Sequence, residues 1–122
     1  MIIGICGLVN NLNMIITYLL IFLAAAMNAI MDRTENIVAF NRSVFSHADK
    51  RFWCKEISWQ YAAKVFGWKA DVWHIAKSSM IILLAFAMVF FESTGHWWLD
   101  ILAIGAAWNG TFNLFYHKIL YR

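Results

Sequence analysis

Two carboxylates, two imidazoles, a lysine and two amides recur in this chain beside apolar runs, at spacings that bring their side chains to common helix faces. Asn28 and Asp32 stand four residues apart, Asp71, His74 and Ser78 follow at steps of three and four with Lys77 among them, and Asn113 and His117 are again four apart. On a helix, i, i+3 and i, i+4 neighbours share a face. Carboxylate and imidazole groups are suitable ligands for zinc, manganese or iron, so Asp32, Asp71, His74 and His117 are candidate metal ligands. A divalent metal held there could activate water against a lipid ester or phosphate, or two of the titratable groups could run acid/base chemistry with Lys77 holding an anionic headgroup. The same residues also have structural uses. Asp71 stands where it could cap a helix, Lys77 could extend its stem along apolar surface, and Asp32 sits where an apolar run ends. Both readings stay open on sequence alone.

The elements that must position these groups are apolar. Of 122 residues, 62% are hydrophobic and 14% charged, with Trp 7, Phe 10 and Pro 0. Soluble chains average about 25% charged residues, and a soluble core of this size could not hide so much apolar surface. Apolar stretches at residues 14–31, 72–91 and 97–116, the first without any charge, are each long enough to cross a bilayer as a helix, since about 20 residues at about 1.5 Å each match a hydrocarbon thickness of about 30 Å. The expected fold is therefore an all-α membrane protein in one domain over residues 1–122, with three transmembrane helices and amphipathic interfacial helices in the 33–70 segment. Asp100, Asn109, Thr111 and Asn113 interrupt the third stretch, which predicts that its polar side faces the other helices. Ala25 with Ala29, and Ala106 with Gly110, are small-residue pairs suited to close helix approach. Residues 1–13 carry Gly4, Gly7 and three asparagines, and either extend the first span or lie at the interface. No Lys or Arg precedes Arg33, which argues against a cleaved signal peptide.

Orientation follows from the cations. Arg33, Arg42, Lys50, Arg51, Lys55, Lys64 and Lys69 lie between the first two stretches, whereas the turn from Glu92 to His96 has no Lys or Arg. By the positive-inside rule, residues 33–70 and the C-terminus face the cytoplasm and the N-terminus lies outside. With this polarity, Asn28 and Asp32, then Asp71, His74 and Lys77, then Asn113 and His117 all arrive at the cytoplasmic end. Between the spans, Ile37, Phe40, Val44 and Phe45, and again Ile57, Tyr61, Val65 and Trp68, recur at helical spacing, with Ser58 as a candidate N-cap for the second. An aromatic, basic segment of this kind suits the surface of an anionic leaflet, and membrane lipids rather than nucleic acid are the expected partner. Cys6 and Cys54 fall on different sides of the first span, which excludes their pairing, and no P-loop, HExxH, GxSxG or dinucleotide glycine pattern occurs.

The segments Asn28-Ala-Ile-Met-Asp32, Phe52-Trp53 with Ile57-Ser-Trp59, and Asp71-Val-Trp-His74 together resemble a group of small integral membrane proteins of bacteria and their phages for which no activity is established. The similarity covers most of residues 20–80 and implies an address, the bacterial inner membrane or a viral membrane, rather than a reaction. Two functions follow as expectations. One is a non-catalytic structural or assembly subunit of a membrane, self-associating or part of a larger assembly. The other is a metal-dependent or acid/base enzyme acting on a lipid-like substrate at the cytoplasmic leaflet.

Overall fold

The computed structural model describes residues 2–61, 64–65 and 68–122, with side chains described from Gly4 onward except over 62–69. Phe66, part of the aromatic segment, lies outside the described residues, as do the side chains of Val65 and Trp68. Among the described residues the regular structure is helical apart from one short antiparallel strand pair and an isolated bridge between Ser43 and Tyr121. Its three long helices are α1 (Ile2–Thr34), α5 (Val72–Phe90) and α6 (Trp97–Leu114), the last continuing into a π-helical turn, Phe115–Ile119. Between α1 and α5 lie three short helices, α2 (Ile37–Asn41), α3 (Lys50–Trp53) and α4 (Lys55–Tyr61), followed by an antiparallel pair, β1 (Lys64–Val65) and β2 (Trp68–Lys69).

Two of the long helices, α1 and α5, are long and apolar enough to cross a membrane. α1 has 33 residues, about 50 Å at 1.5 Å per residue, whereas the 19 residues of α5 cover about 28 Å. The extra length is N-terminal. Asn13 Nδ2 donates to Glu92 Oε1 at 3.2 Å, which sets Asn13 level with the residue that follows α5. Residues 2–12 therefore continue beyond that level as part of one unbroken helix, with no break at the glycines or asparagines.

α1 is the common wall of the bundle. α5 packs along most of it and α6 along another part, while α5 and α6 make little contact with each other. The buried residues of α1 are small over its middle: Ala24, Ala25 and Ala29 are fully buried and Ala26 nearly so. Ala76 and Ala87 are the buried residues of α5. Alanines bring helix backbones together where aliphatic side chains would hold them apart, so the Ala25–Ala29 pair does on α1 what its spacing predicts. Ala106 and Gly110 do not do so on α6. Ala106 and Gly110 are exposed, because α6 turns a different face to α1. The expectation that the polar side of this helix meets its neighbours fails for the same reason at Asn109 and Asn113, while Asp100 is buried and Thr111 half-buried. Asn109 and Asn113 are both exposed, and each satisfies its amide within its own helix, Asn109 Nδ2 donating to Gly105 O at 3.0 Å and Asn113 Nδ2 to Asn109 O at 2.9 Å.

The tight connection between α5 and α6 is organised by Asp100, which is 8% exposed. Ser93 Oγ donates to its Oδ2 at 2.6 Å, and Thr94 gives both its N–H, at 3.2 Å, and its hydroxyl, at 2.9 Å, to Oδ1. Gly95 completes the turn with φ 87, a left-handed conformation that side chains with a Cβ disfavour.

The interfacial segment also departs from its expected form. α2 ends at Asn41, so Ile37 and Phe40 share a helix but Val44 and Phe45 do not. α4 ends at Tyr61, before Val65 and Trp68, which belong to the two strands. Ser58 lies inside α4 rather than capping it. The caps are Asn36, whose side chain accepts from Ala39 N at 2.9 Å, and Asp49, which accepts from Arg51 N at 3.0 Å. Hydrophobic spacing over such short stretches does not distinguish one helix from two broken by a turn.

Candidate functional site

Asp71 is the centre of the described polar structure at this end of the bundle. Its side chain is fully buried immediately before α5, and all of its contacts follow from that position. Oδ1 caps the helix by accepting from His74 N at 2.8 Å, and the same oxygen lies 2.7 Å from His74 Nδ1. Oδ2 accepts from Ser58 Oγ at 2.7 Å, across from α4. A carboxylate at the N-cap satisfies a backbone donor that no carbonyl can reach and meets the positive end of the helix dipole. Burial alone would raise the pKa of Asp71, but donation from His74 N, from Ser58 Oγ and from the His74 ring outweighs it and holds the group below the ordinary carboxylate range.

The start of α4 and the first turns of α5 add the cations. Trp73 lies between two ammonium groups, Lys55 Nζ at 3.5 Å from its ring centroid and Lys77 Nζ at 5.0 Å, and its indole meets the His74 ring edge-on at 5.0 Å. Lys77 is exposed and His74 half-buried. Lys55 also pairs with Glu35 at 3.7 Å, and Glu56 Oε2 accepts from Ile37 N at 2.8 Å, so α4 is held to the chain leaving α1. The product is a basic aromatic surface of Lys55, Trp73 and Lys77 with the half-exposed His74 beside it, supported by a buried carboxylate.

A second polar assembly joins α1 to the end of α6. The Arg33 side chain, 4% exposed, sends Nε and Nη2 to Tyr116 O at 3.0 and 2.5 Å, and its guanidinium lies 3.8 Å from the Tyr116 ring centroid and 5.2 Å from that of Tyr121. The carbonyl it takes belongs to the π-helical turn, where a helix end leaves acceptors without onward donors. The residues after that turn are stitched to the segment following α2: Val44 N donates to Leu120 O at 2.9 Å, Arg122 N to Arg42 O at 2.9 Å, and the Arg122 guanidinium reaches Ser46 Oγ and His47 Nε2.

The residues singled out by their spacing thus share one end of the bundle without sharing one point. Asp71 and His74 are in contact, and Lys77 reaches them through Trp73. Asn28 and Asp32 are half-buried on the last turns of α1, while Asn113 and His117 are exposed on α6 and the π-helical turn, where the His117 ring packs against Tyr116 at 4.9 Å. Among the described residues no three of the His, Cys, Asp and Glu side chains converge as a metal site would require. Spacing along each helix placed Asp71 with His74, because that relation is local. It gave no information on how the ends of α1 and α6 are rotated about their axes, which decides whether Asp32 or His117 joins them.

Three contributors went unrecognised in the sequence. Ser58 looks like a cap, and nothing local to it announces a partner thirteen residues on. Arg33 reads as the first charge after a span, an orientation marker, and Tyr116 as one aromatic among many. The pairing of a planar cation with a tyrosine at the opposite end of the chain has no sequence periodicity to reveal it. Comparison with known proteins finds no family model, no curated protein and no solved structure that matches the chain, so its functional reading stands on this geometry.

Proposed function

We propose that the chain is a non-catalytic membrane subunit whose three long helices lie in lipid and whose basic aromatic end rests on an anionic leaflet. The observation that carries this reading is the division of labour between the two kinds of surface. The polar groups at the end of the bundle are engaged in joining elements, Asp71 to Ser58 and His74 and Arg33 to Tyr116. The flanks of the helices carry exposed Ile15, Leu19, Ile81, Ile82, Ile101 and Leu102. Apolar side chains in that number need lipid or a partner against them.

In this reading α6 is a third span, residues 33–70 and the C-terminus face the cytoplasm, and the N-terminus lies outside. The membrane is the bacterial inner membrane or that of a virus. Lys55 and Lys77 beside Trp73 supply the anionic surface with cations at the depth where aromatic side chains favour the interface. The exposed α6 face with Ala106 and Gly110 serves self-association or a larger membrane assembly, since small residues let a second helix approach closely.

Single cysteines in a background lacking Cys6 and Cys54 test the arrangement. In intact cells a membrane-impermeant maleimide is expected to label His96→Cys and to spare Gln60→Cys until the membrane is opened. Labelling of Gln60→Cys from outside, or recovery of the chain as a folded monomer in buffer without detergent, would end this reading.

A second reading keeps the Asp71–His74 pair as an acid/base device acting on a lipid-like substrate, with or without a divalent metal. It is favoured by one observation, the 2.7 Å contact between His74 Nδ1 and a buried carboxylate, which fixes the imidazole orientation while leaving the ring half-exposed. Stoichiometric metal in purified protein that is lost in His74→Ala, or lipid turnover lost in the same variant, would favour it over the first.

A further inference from the structure

Along α1, Ile5, Leu8, Leu12, Ile15, Leu19 and Phe22 recur at alternating steps of three and four residues, and all six are exposed. This is the 3.5-residue spacing with which two helices wind around each other. At about 100° per residue, the buried Thr17, Ile21 and Ala24 lie half a turn away, so the seam points away from the packed face of α1. Its inner end borders α6, where Phe22 shares a groove of about 470 Å³ with Ala106, Gly110 and Leu114. The seam and the small-residue face of α6 are thus one continuous surface.

The length of α1 decides what covers the outer part of this seam. From Asn13, level with the end of α5 through its bond to Glu92, to Arg33 the helix runs about 30 Å, the hydrocarbon thickness of about 30 Å. Residues 2–12 add about 16 Å more. Drawing all 33 residues of α1 into the hydrocarbon needs a tilt of about 53°, outside the range of about 0–40° that spanning helices show. The outer turns therefore leave the lipid, and the side chains of residues 4–12 are exposed on every side. Ile5, Leu8, Val9 and Leu12 stand among them. Within the hydrocarbon, lipid covers a leucine as well as protein does. Beyond it, apolar side chains in a continuous strip call for a protein partner.

Copies of one chain enter a membrane in the same orientation, so their projecting turns stand side by side at one height. No charged side chain occurs before Asp32, so two such helices meet without repulsion, and in a parallel twofold pair each seam residue faces its own counterpart. A different partner would need an uncharged helix of equal height with a matching seam. We propose that α1 pairs in parallel with α1 of a second copy through the seam of residues 5–22, and that the projecting turns cover each other outside the bilayer. The pairing rests on the reading that α1 and α5 lie in lipid with the N-terminus outside, and it gives self-association a surface that extends beyond α6.

Disulfide cross-linking of the full-length chain in its membrane tests the pairing. Leu8→Cys and Leu12→Cys, each in a background lacking Cys6 and Cys54, place a thiol in the seam. Asn10→Cys in that background, and the natural Cys6 in a background lacking Cys54, place one on the opposite face at the same height. Covalent dimer is expected at least fivefold more abundant at the two seam positions. Adding Leu8→Glu to the Leu12→Cys chain should lower its dimer at least fivefold, and co-expression with a Leu12→Cys chain carrying Leu8→Lys should restore it. Residue 8 touches nothing else in the monomer, so the charge swap reads the contact between copies. Equal dimer on both faces, no dimer, no rescue, or cross-links from the seam to a chain of different mass overturns the pairing. A membrane-impermeant maleimide applied to intact cells separates this from the reading beneath it. Asn10→Cys should be labelled and Gln60→Cys spared, and that pattern without seam dimers leaves the membrane reading standing. Shielding of Asn10→Cys while His96→Cys is labelled puts the outer turns in lipid and overturns the pairing alone, whereas labelling of Gln60→Cys in place of Asn10→Cys overturns both.

Discussion

Asp71 links the connector to α5 through three hydrogen bonds to one carboxylate, and its removal should be felt in proportion. Asp71→Ala loses an N-cap, typically about 1 kcal/mol, and leaves the buried Ser58 hydroxyl only its longer contact to Lys55 O at 3.4 Å, about 1–2 kcal/mol more. A total loss of roughly 2–3 kcal/mol is expected from denaturant unfolding in detergent micelles, with Asp71→Asn milder because its amide oxygen can still cap the helix. A change below about 0.5 kcal/mol, the range of ordinary surface substitutions, would mean that the cap and the Ser58 bond are not formed. The pH dependence has a definite sign. The folded-state pKa of Asp71 lies below its ordinary value, so its contribution is fully present above the unfolded-state pKa of about 4 and is lost as pH falls through the lower folded value. A plot of stability against pH should therefore drop below about pH 4 in the natural chain and drop less steeply in Asp71→Ala.

Arg33 is the corresponding residue for α6. Replacing it with lysine keeps the charge but loses the pair of N–H groups directed at one carbonyl and the flat stacking on Tyr116. A loss of about 1–2 kcal/mol is expected for Arg33→Lys, read as unfolding in micelles together with increased protease cleavage after Leu114. Cys54 makes a chemical check on the same end of the molecule. Its thiol is buried, and burial pushes its pKa up, so a maleimide should modify it far more slowly than the exposed Cys6 in detergent-solubilised protein. Equal rates would place Cys54 at the surface.

Among the elements, α1 is where substitutions of similar chemistry diverge most. Ala25 and Ala29 are fully buried, and adding three carbons at either should force the helices apart at a loss of about 1–3 kcal/mol. Ala106, exposed on α6, should tolerate leucine in the isolated chain within about 0.5 kcal/mol. If the α6 face serves assembly, Ala106→Leu should instead abolish the larger species seen by cross-linking in membranes while leaving the monomer's stability unchanged. The second and third apolar stretches were legible at this scale because their limits are chemical: Asp71 precedes the one, and the Glu92 to His96 turn separates the two. Residues 72–91 and 97–116 accordingly match Val72–Phe90 and Trp97–Leu114 closely. The first was harder, because Asn10, Asn11 and Asn13 mimic a helix end although the helix runs through them. The short helices of residues 33–70 were legible only as aromatic and amphipathic, since four to seven residues hold fewer than two helical turns.

For the whole molecule, what the sequence could convey was depth and what it could not was azimuth. Charges and apolar lengths locate each residue along a helix axis, which is why Asp32, Asp71, His74 and His117 were expected at one end. Rotation about each axis depends on which faces pack, and on α6 the packed face is not the polar one. Asn109 and Asn113 illustrate the point, because a bond to a carbonyl one turn back lets an amide stand outside the bundle.

The position of α1 as the sole wall shared by α5 and α6 has a consequence for biogenesis. Helices leave the ribosome in chain order, so the scaffold for both later helices is made before either of them. During synthesis the alanine stripe of α1 and the Arg33 guanidinium must therefore wait without their neighbours. A chain arrested after α5 already has its larger interface available, whereas one beginning at α5 would hold two helices with almost nothing to say to each other. Complementation between separately expressed fragments should consequently succeed when the break falls in the α5–α6 turn and fail when α1 is omitted.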